Sequence, residues 1–561
     1  MNRNVESRFA VNPTSLSMPR STFDRSSQHK TTFNAGKLIP IFVDEVLPGD
    51  TFKMETACVV RMSTPVHPVM DNCYLDLYYF FIPNRLIWSN WKYFNGESEN
   101  PDWETPTEYE VPHVKAPGSN GWVKGDIADY MGIPIGIKNI TVSALPFRAY
   151  VLTWNEWFRD QNLQGSVSLN TSDSGGQANT FSPTNFWTSG CAGGGLAPVN
   201  KYHDYFTSCL PEPQKGPDVN IPLGTSAPLS IALSSDGKNP IWTNGTDKGV
   251  FVSSSSDASN PYLLQTTNYT GIGSTAGANT TWTAGKTIGF YGSNTGLKAT
   301  GTADLSTATA ATINQLRQAF AVQKLYERDA RGGTRYAEII KSHFGVVSPD
   351  ARQQRPEYLG GKRIPINISQ VLQTSSTDDV SPQGNTAAYS LTGDKSSSFT
   401  KSFTEHGILL GLVCVRTEHT YQQGIERFWS RKKRFDFYWP SLANIGEQPV
   451  FNKELYAQGT TVDDEVFGYQ EAWAEYRYKP SRVSGAFRST YSQPLDNWHY
   501  ADKYTSKPVL GSEWLIETTA NLDRTLSVTS SSEDQFIADF YFKNICTRVM
   551  PIYSVPGLKS L

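Results

Sequence analysis

A chain of 561 residues is several times the ~150 residues of one ordinary domain, and 38% hydrophobic with 12% aromatic side chains exclude disorder as its main state. Charged residues reach only 18%, against roughly 25% in ordinary soluble domains. Lys and Arg number 50 and Asp and Glu 53, so a net charge of -3 gives no global field toward nucleic acid or membrane, and any such attraction is local. The first ten residues lack the apolar core of a secretory signal, so none is expected. The longest apolar stretch, 407–415, is 9 residues, about half of the ~20 a membrane-spanning helix needs. Six cysteines without a C-x-x-C pair favour reduced thiols. The sequons at Asn139, Asn170, Asn244, Asn268, Asn279 and Asn367 are expected by chance in a chain this rich in Asn, Ser and Thr.

In chain order, residues 1–40 carry six cations, including Arg3, Arg8, Arg20 and Arg25, against two carboxylates, with Pro13 and Pro19 as punctuation. They read as a basic extended arm. The strongest strand signal is 74–82 (YLDLYYFFI), closed by Pro83, whose near-continuous apolar character predicts burial of both faces. Residues 143–163 read as a helix with Pro146 in its first turn and Phe147, Tyr150, Val151, Trp154, Trp157 and Phe158 at helical spacing. Residues 221–310 contain only eight charges, and short runs at 249–253 and 287–291 suggest a small β-rich insertion, with disorder as the alternative. A helical block follows, with Ile313, Leu316 and Phe320 on one stripe until Gly332 and Gly333 stop it. Thr334 is then placed to cap a second helix ending at Gly345. Strands are predicted at 406–417, 512–518 and 536–542, the last with Phe536, Ala538, Phe540 and Phe542 on one face. Strands at both ends and helices in the connections predict a mainly β protein, an antiparallel sandwich or barrel with large insertions.

Signatures of catalysis are missing. There is no G-x-S-x-G, and the stretch before Gly285-Lys286-Thr287 has Thr280 where a phosphate-binding loop needs glycine. H-E-x-x-H is absent, and His406 and His419 fall at the two ends of one predicted strand, too far apart to share a metal ion. No catalytic residue, metal site or cofactor is therefore assigned. Glu97, Glu99, Asp102, Glu104, Glu108 and Glu110 around Trp103 offer carboxylates beside a sugar-stacking ring, which keeps a β-sandwich glycoside hydrolase or carbohydrate-binding protein as the alternative. A solvated acidic loop is the simpler reading. A host-binding spike or lectin fits the 221–307 insertion but not the framework around it.

Local basic patches are the positive signal. Residues 313–363 hold ten cations against five carboxylates. Arg431, Lys432, Lys433 and Arg434 follow Phe428 and Trp429 and precede Phe435, Phe437, Tyr438 and Trp439. Cations interleaved with flat rings suit single-stranded nucleic acid, whose phosphates want charge and whose bases want stacking partners. The competing reading is a basic turn between aromatic strands, or salt bridges between subunits.

Four stretches carry a resemblance to a known family: KTTFNAGKLIPIFVDEVLPGDTF at 30–52, PVMDNCYLDLYYFFIPNRLIWSNW at 68–91, INQLRQAFAVQKLYERDARGGTRYAEIIKSHFGVVSPDARQQRPEYLGG at 313–361 and YQQGIERFWSRKKRFDFYWPSLANIGEQPVFNKELYA at 421–457. In these the chain resembles the major capsid proteins of gokushoviruses, small microviruses with icosahedral T=1 shells. The resemblance implies an eight-stranded antiparallel jelly roll with long helical and β-rich loop insertions. It implies a structural protein that self-assembles around a circular single-stranded DNA phage genome, in the virion, after assembly in the host bacterial cytoplasm. Its implied partners are further copies of itself, the genome, an internal scaffolding protein, a minor or pilot protein, a small basic DNA-packaging protein and a host cell-surface receptor. Residues 41–220 and 308–561 would form the core, and 221–307, where the pattern departs from the family, a protrusion at the three-fold axis contributing to host attachment. Arg3, Arg8, Arg20, Arg25, Arg431, Lys432, Lys433 and Arg434 are the candidate DNA contacts, expected to face inward. The match is poor before Lys30.

Overall fold

The computed structural model describes residues 19–97, 108–175, 185–219, 313–375 and 382–553, with short strands between 243 and 264. Two compact units are present, one of Met1–Gly216 with Leu325–Leu561 and one of Pro217–Lys324.

The larger unit is built on two antiparallel sheets. The five-stranded sheet contains β1 (Arg20–Asp24), β2 (Ser27–Phe33), β4 (Thr51–Met62), β7 (Thr392–Ser402) and β9 (Phe536–Val549). Its order is β1-β9-β4-β7, and β2 also lies along β9. The four-stranded sheet orders β6 (Glu357–Pro365), β5 (Cys73–Pro83), β8 (Gly407–Thr417) and β3 (Ile39–Val46) as β6-β5-β8-β3. Strands β1 and β2 take successive halves of β9: Asp24 pairs with Ile545 and Ser27 with Phe542. Arg25 and Ser26 bridge the break, the Arg25 amide donating to the Asn544 carbonyl at 2.8 Å.

Period-two burial explains the pairing of the sheets. Phe52, Met54 and Val60 from β4 and Phe536, Ala538, Phe540 and Phe542 from β9 point into one core. Leu75, Leu77, Tyr79 and Phe81 of β5 and Leu409, Val413 and Val415 of β8 meet them there. The alternate residues of the four-stranded sheet, Phe80, Ile82, Ile408, Leu410, Leu412 and Cys414, enter a second core with helix α1 (Leu145–Thr153). The apolar runs of β5 and β8 are thus covered on both faces, as 74–82 predicts. Leu410 is fully buried, so Leu410→Ala should lower unfolding free energy by about 2–5 kcal/mol, measured by urea denaturation.

Several predicted elements differ. The 143–163 helix is α-helical only over Leu145–Thr153 and continues as one wider π turn, Trp154–Phe158. The turn lets Trp154 donate to the Pro198 carbonyl at 2.8 Å and Trp157 to that of Pro356 at 3.0 Å. The Asp160 carboxylate then accepts from the amides of Asn162 and Leu163 and reverses the chain. The helices α2 (Ile313–Gly332) and α3 (Tyr336–Phe344) form as expected, but Arg335, not Thr334, occupies the cap position of α3. The Glu338 carboxylate accepts the Arg335 amide at 3.3 Å, while the Thr334 hydroxyl is drawn away to Gln161. Residues 512–518 are not a strand but begin with a helical turn, Ser512–Leu515. The turn buries Leu515 and brings Trp514 to 5.1 Å from Phe467. Residues 20–33, expected in an extended arm, are strands β1 and β2: both pair along β9, and β2 turns His29 and Thr31 inward before ending in the fully buried Phe33.

In the smaller unit, Thr243–Asn244 pairs with Asp247–Lys248 and Val250–Val252 with Tyr262–Leu264. The predicted run at 287–291 lies outside the described residues, as do Arg3, Arg8, Glu99, Asp102, Trp103 and Glu104. No described helix is long and apolar enough to cross a membrane.

Candidate nucleic-acid interface

Beyond β8 the chain builds a lobe on a third core, in which Tyr421, Val450, Leu455 and Phe467 pack with Tyr205, Phe206 and Cys209 from the segment before α2. The hairpin of Glu447–Phe451 and Val466–Glu471 supplies its framework. On it sits the basic tetrapeptide, between 3-10 turns at Arg427–Ser430 and Arg434–Asp436 and not between strands.

Its four cations have different fates. The Arg431 side chain is 9% exposed, donates to Glu475 Oε1 at 2.9 Å and lies 4.3 Å from the Tyr476 ring centroid. Lys432 and Lys433 use their backbone amides on Asp436 Oδ2, at 2.8 and 2.7 Å, and leave their side chains exposed. Those two N–H groups hold the Asp436 carboxyl below its ordinary value. Arg434 is exposed, with its guanidinium 4.8 Å from the Trp439 ring, and Trp439 donates back to its carbonyl at 3.1 Å. Around them Trp429 and Phe435 are each 70% exposed, and Phe437, Tyr438 and Trp439 are also exposed. Exposed flat rings beside exposed cations can take bases and phosphates together.

The other described candidates lie elsewhere. Arg20 reaches back to the Gly49 carbonyl and to Thr51 Oγ1 at 3.3 Å. Arg25 grips Asp44 with both nitrogens, at 2.5 and 2.8 Å. These residues brace the edge strand against the β3–β4 connection, and the structure does not gather them with Arg431–Arg434. Within residues 313–363, several of the ten cations are taken up in ion pairs inside the subunit. Arg363 pairs with Asp76 at 2.9 Å, Lys362 with Asp394 at 2.7 Å, Arg355 with Asp350 at 2.7 Å, and Arg331 with Glu447 and Glu471.

A second basic segment was missed by sequence reasoning. Tyr476, Arg477, Tyr478, Lys479 and Arg482 line, with Phe428, Trp429 and Arg431, a groove of about 700 Å³. The signal was present, since YRYKPSR alternates rings and cations as the 428–439 stretch does. Cys191 and Cys209 sit in different cores. Burial pushes the Cys191 thiol up to about 11 and the Cys209 thiol higher still, so both are poor nucleophiles.

The family described as capsid protein (F protein) matches residues 12–558 of this chain. The chain belongs to that capsid-protein family. It is 44% identical over 558 residues to capsid protein VP1 of Bdellovibrio phage phiMH2K, covering 99% of this chain and 98% of that one. It is 40% identical to capsid protein VP1 of Chlamydia phage 1 over 99% of this chain and 98% of that one. For capsid protein VP1 of Spiroplasma virus 4 the identity is 41%, over 95% and 94%. The gokushovirus resemblance read from four stretches therefore extends along the chain, including residues ahead of Lys30. This capsid protein is a structural component of the virion that assembles with copies of itself into a shell, and not an enzyme.

Proposed function

We propose that this capsid protein is the major subunit of an icosahedral T=1 phage shell enclosing circular single-stranded DNA. The observation that carries the architectural part is strand order. With β1 and β2 acting as one edge strand bent at Arg25 and Ser26, β9 lies between that strand and β4 while β8 lies between β3 and β5. Those interleaved connections support an eight-stranded jelly roll, whose outer strand edges are left for neighbours. The segment 221–307 is the proposed protrusion at the three-fold axes and contributes to host-receptor attachment. Residues 41–220 with 308–561 are the shell-forming part. Assembly takes place in the host bacterial cytoplasm, with an internal scaffolding protein, a minor or pilot protein and a small basic DNA-packaging protein. Co-expression with those partners should give uniform shells by sedimentation and electron microscopy. A soluble monomer that stays unassembled with all of them present would overturn the reading.

For the genome contact, Lys432, Lys433 and Arg434 are the favoured inward-facing residues among the candidates, with Arg3 and Arg8 of the arm. Arg20, Arg25 and Arg431 are committed within the subunit. The triple variant K432Q/K433Q/R434Q should fold and assemble but release DNA at lower salt. Each lost phosphate contact removes about 0.7 from the slope of log affinity against log salt. Unchanged genome retention and salt sensitivity would remove these three residues from the contact.

A further inference from the structure

The groove beside the basic tetrapeptide has features that shell architecture does not require. Six cations line it, Arg427, Arg431, Arg477, Lys479, Arg482 and Arg488, against the carboxylates Glu426, Glu454 and Glu475. Two of the three carboxylates are taken by its floor, Glu454 by Arg427 at 3.3 Å and Glu475 by Arg431 at 2.9 Å. The third, Glu426, serves both Lys479 and Arg482 on the rim. Arg477 pairs with Glu471 at 2.5 Å and stays exposed, and Arg488 directs Nη1 to the Gln422 carbonyl at 2.9 Å. Positive charge is therefore in excess where the groove opens. Lys479 and Arg482 are 64% and 73% exposed. In the floor, the Arg431 side chain is nine-tenths buried, yet its Nε–H has no acceptor. A buried guanidinium donor left unmet is costly, and an anionic oxygen is the acceptor that suits it.

The apolar part of the lining is flat. Phe428 and Trp429 lie 4.6 Å apart between centroids, and the Lys479 ammonium is 5.3 Å from the Phe428 ring. Trp429 and Tyr476 are both more than half exposed. Aliphatic pockets select by shape, whereas cations alternating with open rings take a polyanion whose bases can unstack onto them. The bases of a duplex are already stacked and cannot do so.

We propose that this groove seats an unpaired stretch of nucleic acid, with phosphates on Lys479, Arg482 and Arg477 and a base against Trp429. The proposal rests on the genome-contact reading above and moves its centre from the tetrapeptide turn to the groove. A groove of about 700 Å³ falls in the ~300–1,000 Å³ range of sites that enclose ligands of nucleotide size.

The test is fluorescence anisotropy of the full chain with an end-labelled oligothymidylate. It compares wild type with K479Q/R482Q, with W429A and with K432Q/K433Q/R434Q, each first checked for an unchanged melting temperature. The substituted side chains are exposed, so folding should be kept. K479Q/R482Q should weaken binding about tenfold and flatten the salt slope by about 1.4, two contacts at roughly 0.7 each. W429A should weaken it about fivefold or more with the slope unchanged. Weakening by the tetrapeptide variant as well supports a longer track that includes the groove. Loss confined to the tetrapeptide variant overturns the groove and leaves the genome-contact reading standing. No oligothymidylate binding by wild type overturns both. Displacement of the probe by polyglutamate or by duplex DNA as effectively as by unlabelled oligothymidylate also overturns the proposal, since the groove is then a protein-docking or general polyanion surface.

Discussion

Asp76→Ala should cost about 3–5 kcal/mol of unfolding free energy, the range for removing one partner of a buried ion pair. The Asp76 carboxylate, 4% exposed, lies on β5 and joins three other segments. It accepts from Arg363 Nε of β6 at 2.9 Å, from Arg416 Nε of β8 at 3.1 Å and from the Tyr202 hydroxyl at 2.8 Å. Both guanidinium groups also lie 4.1 Å from the Tyr202 ring. Alanine leaves Arg416, only 13% exposed, with its charge uncompensated. Urea denaturation gives the loss directly. A change below about 0.5 kcal/mol, the usual size at a surface site, would mean that solvent reaches Arg416. Arg363→Ala should cost less, because that side chain is half exposed.

The second large effect is centred on His419, whose ring is 3% exposed between two carboxylates. Nδ1 is 3.0 Å from Asp502 and Nε2 is 2.7 Å from Glu517. Lys201 stands 3.6 Å from Asp502, and the Thr417 hydroxyl donates to Glu517 at 2.9 Å. Burial alone would lower the pKa of the imidazole, but Glu517 and Asp502 outweigh it and raise it from 6.5 to about 10. Burial likewise opposes the Asp502 charge, and His419 and Lys201 more than offset it, holding that carboxyl well below its usual range. A raised histidine pKa adds stability that is complete below about pH 6.5 and disappears as pH climbs through about 10. Asp502 has the opposite sign and protects only above the ordinary carboxylate pKa of 3.8. The cage therefore stabilises most between about pH 4 and 6.5. His419→Gln should cost on the order of 3–5 kcal/mol at pH 6 and should flatten the decline in denaturation midpoint between pH 7 and 10. A wild-type midpoint constant across that interval would show that His419 is not protonated in the native state.

Elements with strong local periodicity are legible in the sequence. The run at 74–82 predicts a strand covered on both faces, and β5 is that strand. Phe536, Ala538, Phe540 and Phe542 alternate inward as their spacing requires, and Pro146 with its aromatic stripe marks α1. Short segments with mixed signals are not legible. Residues 512–518 have strand-like composition, but Trp514 reaches Phe467 and Leu515 is buried from a helical turn. Local preference over four residues is weaker than those contacts.

The candidate interface divides in the same way. Composition alone marks 428–439 as cations among rings, and the long matches to gokushovirus stretches point to a capsid protein. Which cations are free to meet a ligand is decided by folding. Arg431 meets Glu475, 44 residues on, Arg25 meets Asp44, and Arg363 meets Asp76, 287 residues earlier. Folding also brings Tyr476, Lys479 and Arg482 against Phe428 and Trp429. Sequence alone determined the strands with strong periodicity, β5, β8 and β9, where their apolar faces point and how much charge each region holds, because neighbours along the chain set those properties. Tertiary structure decided which charges are neutralised, because an ion pair depends on separation in space, and these partners lie tens to hundreds of residues apart.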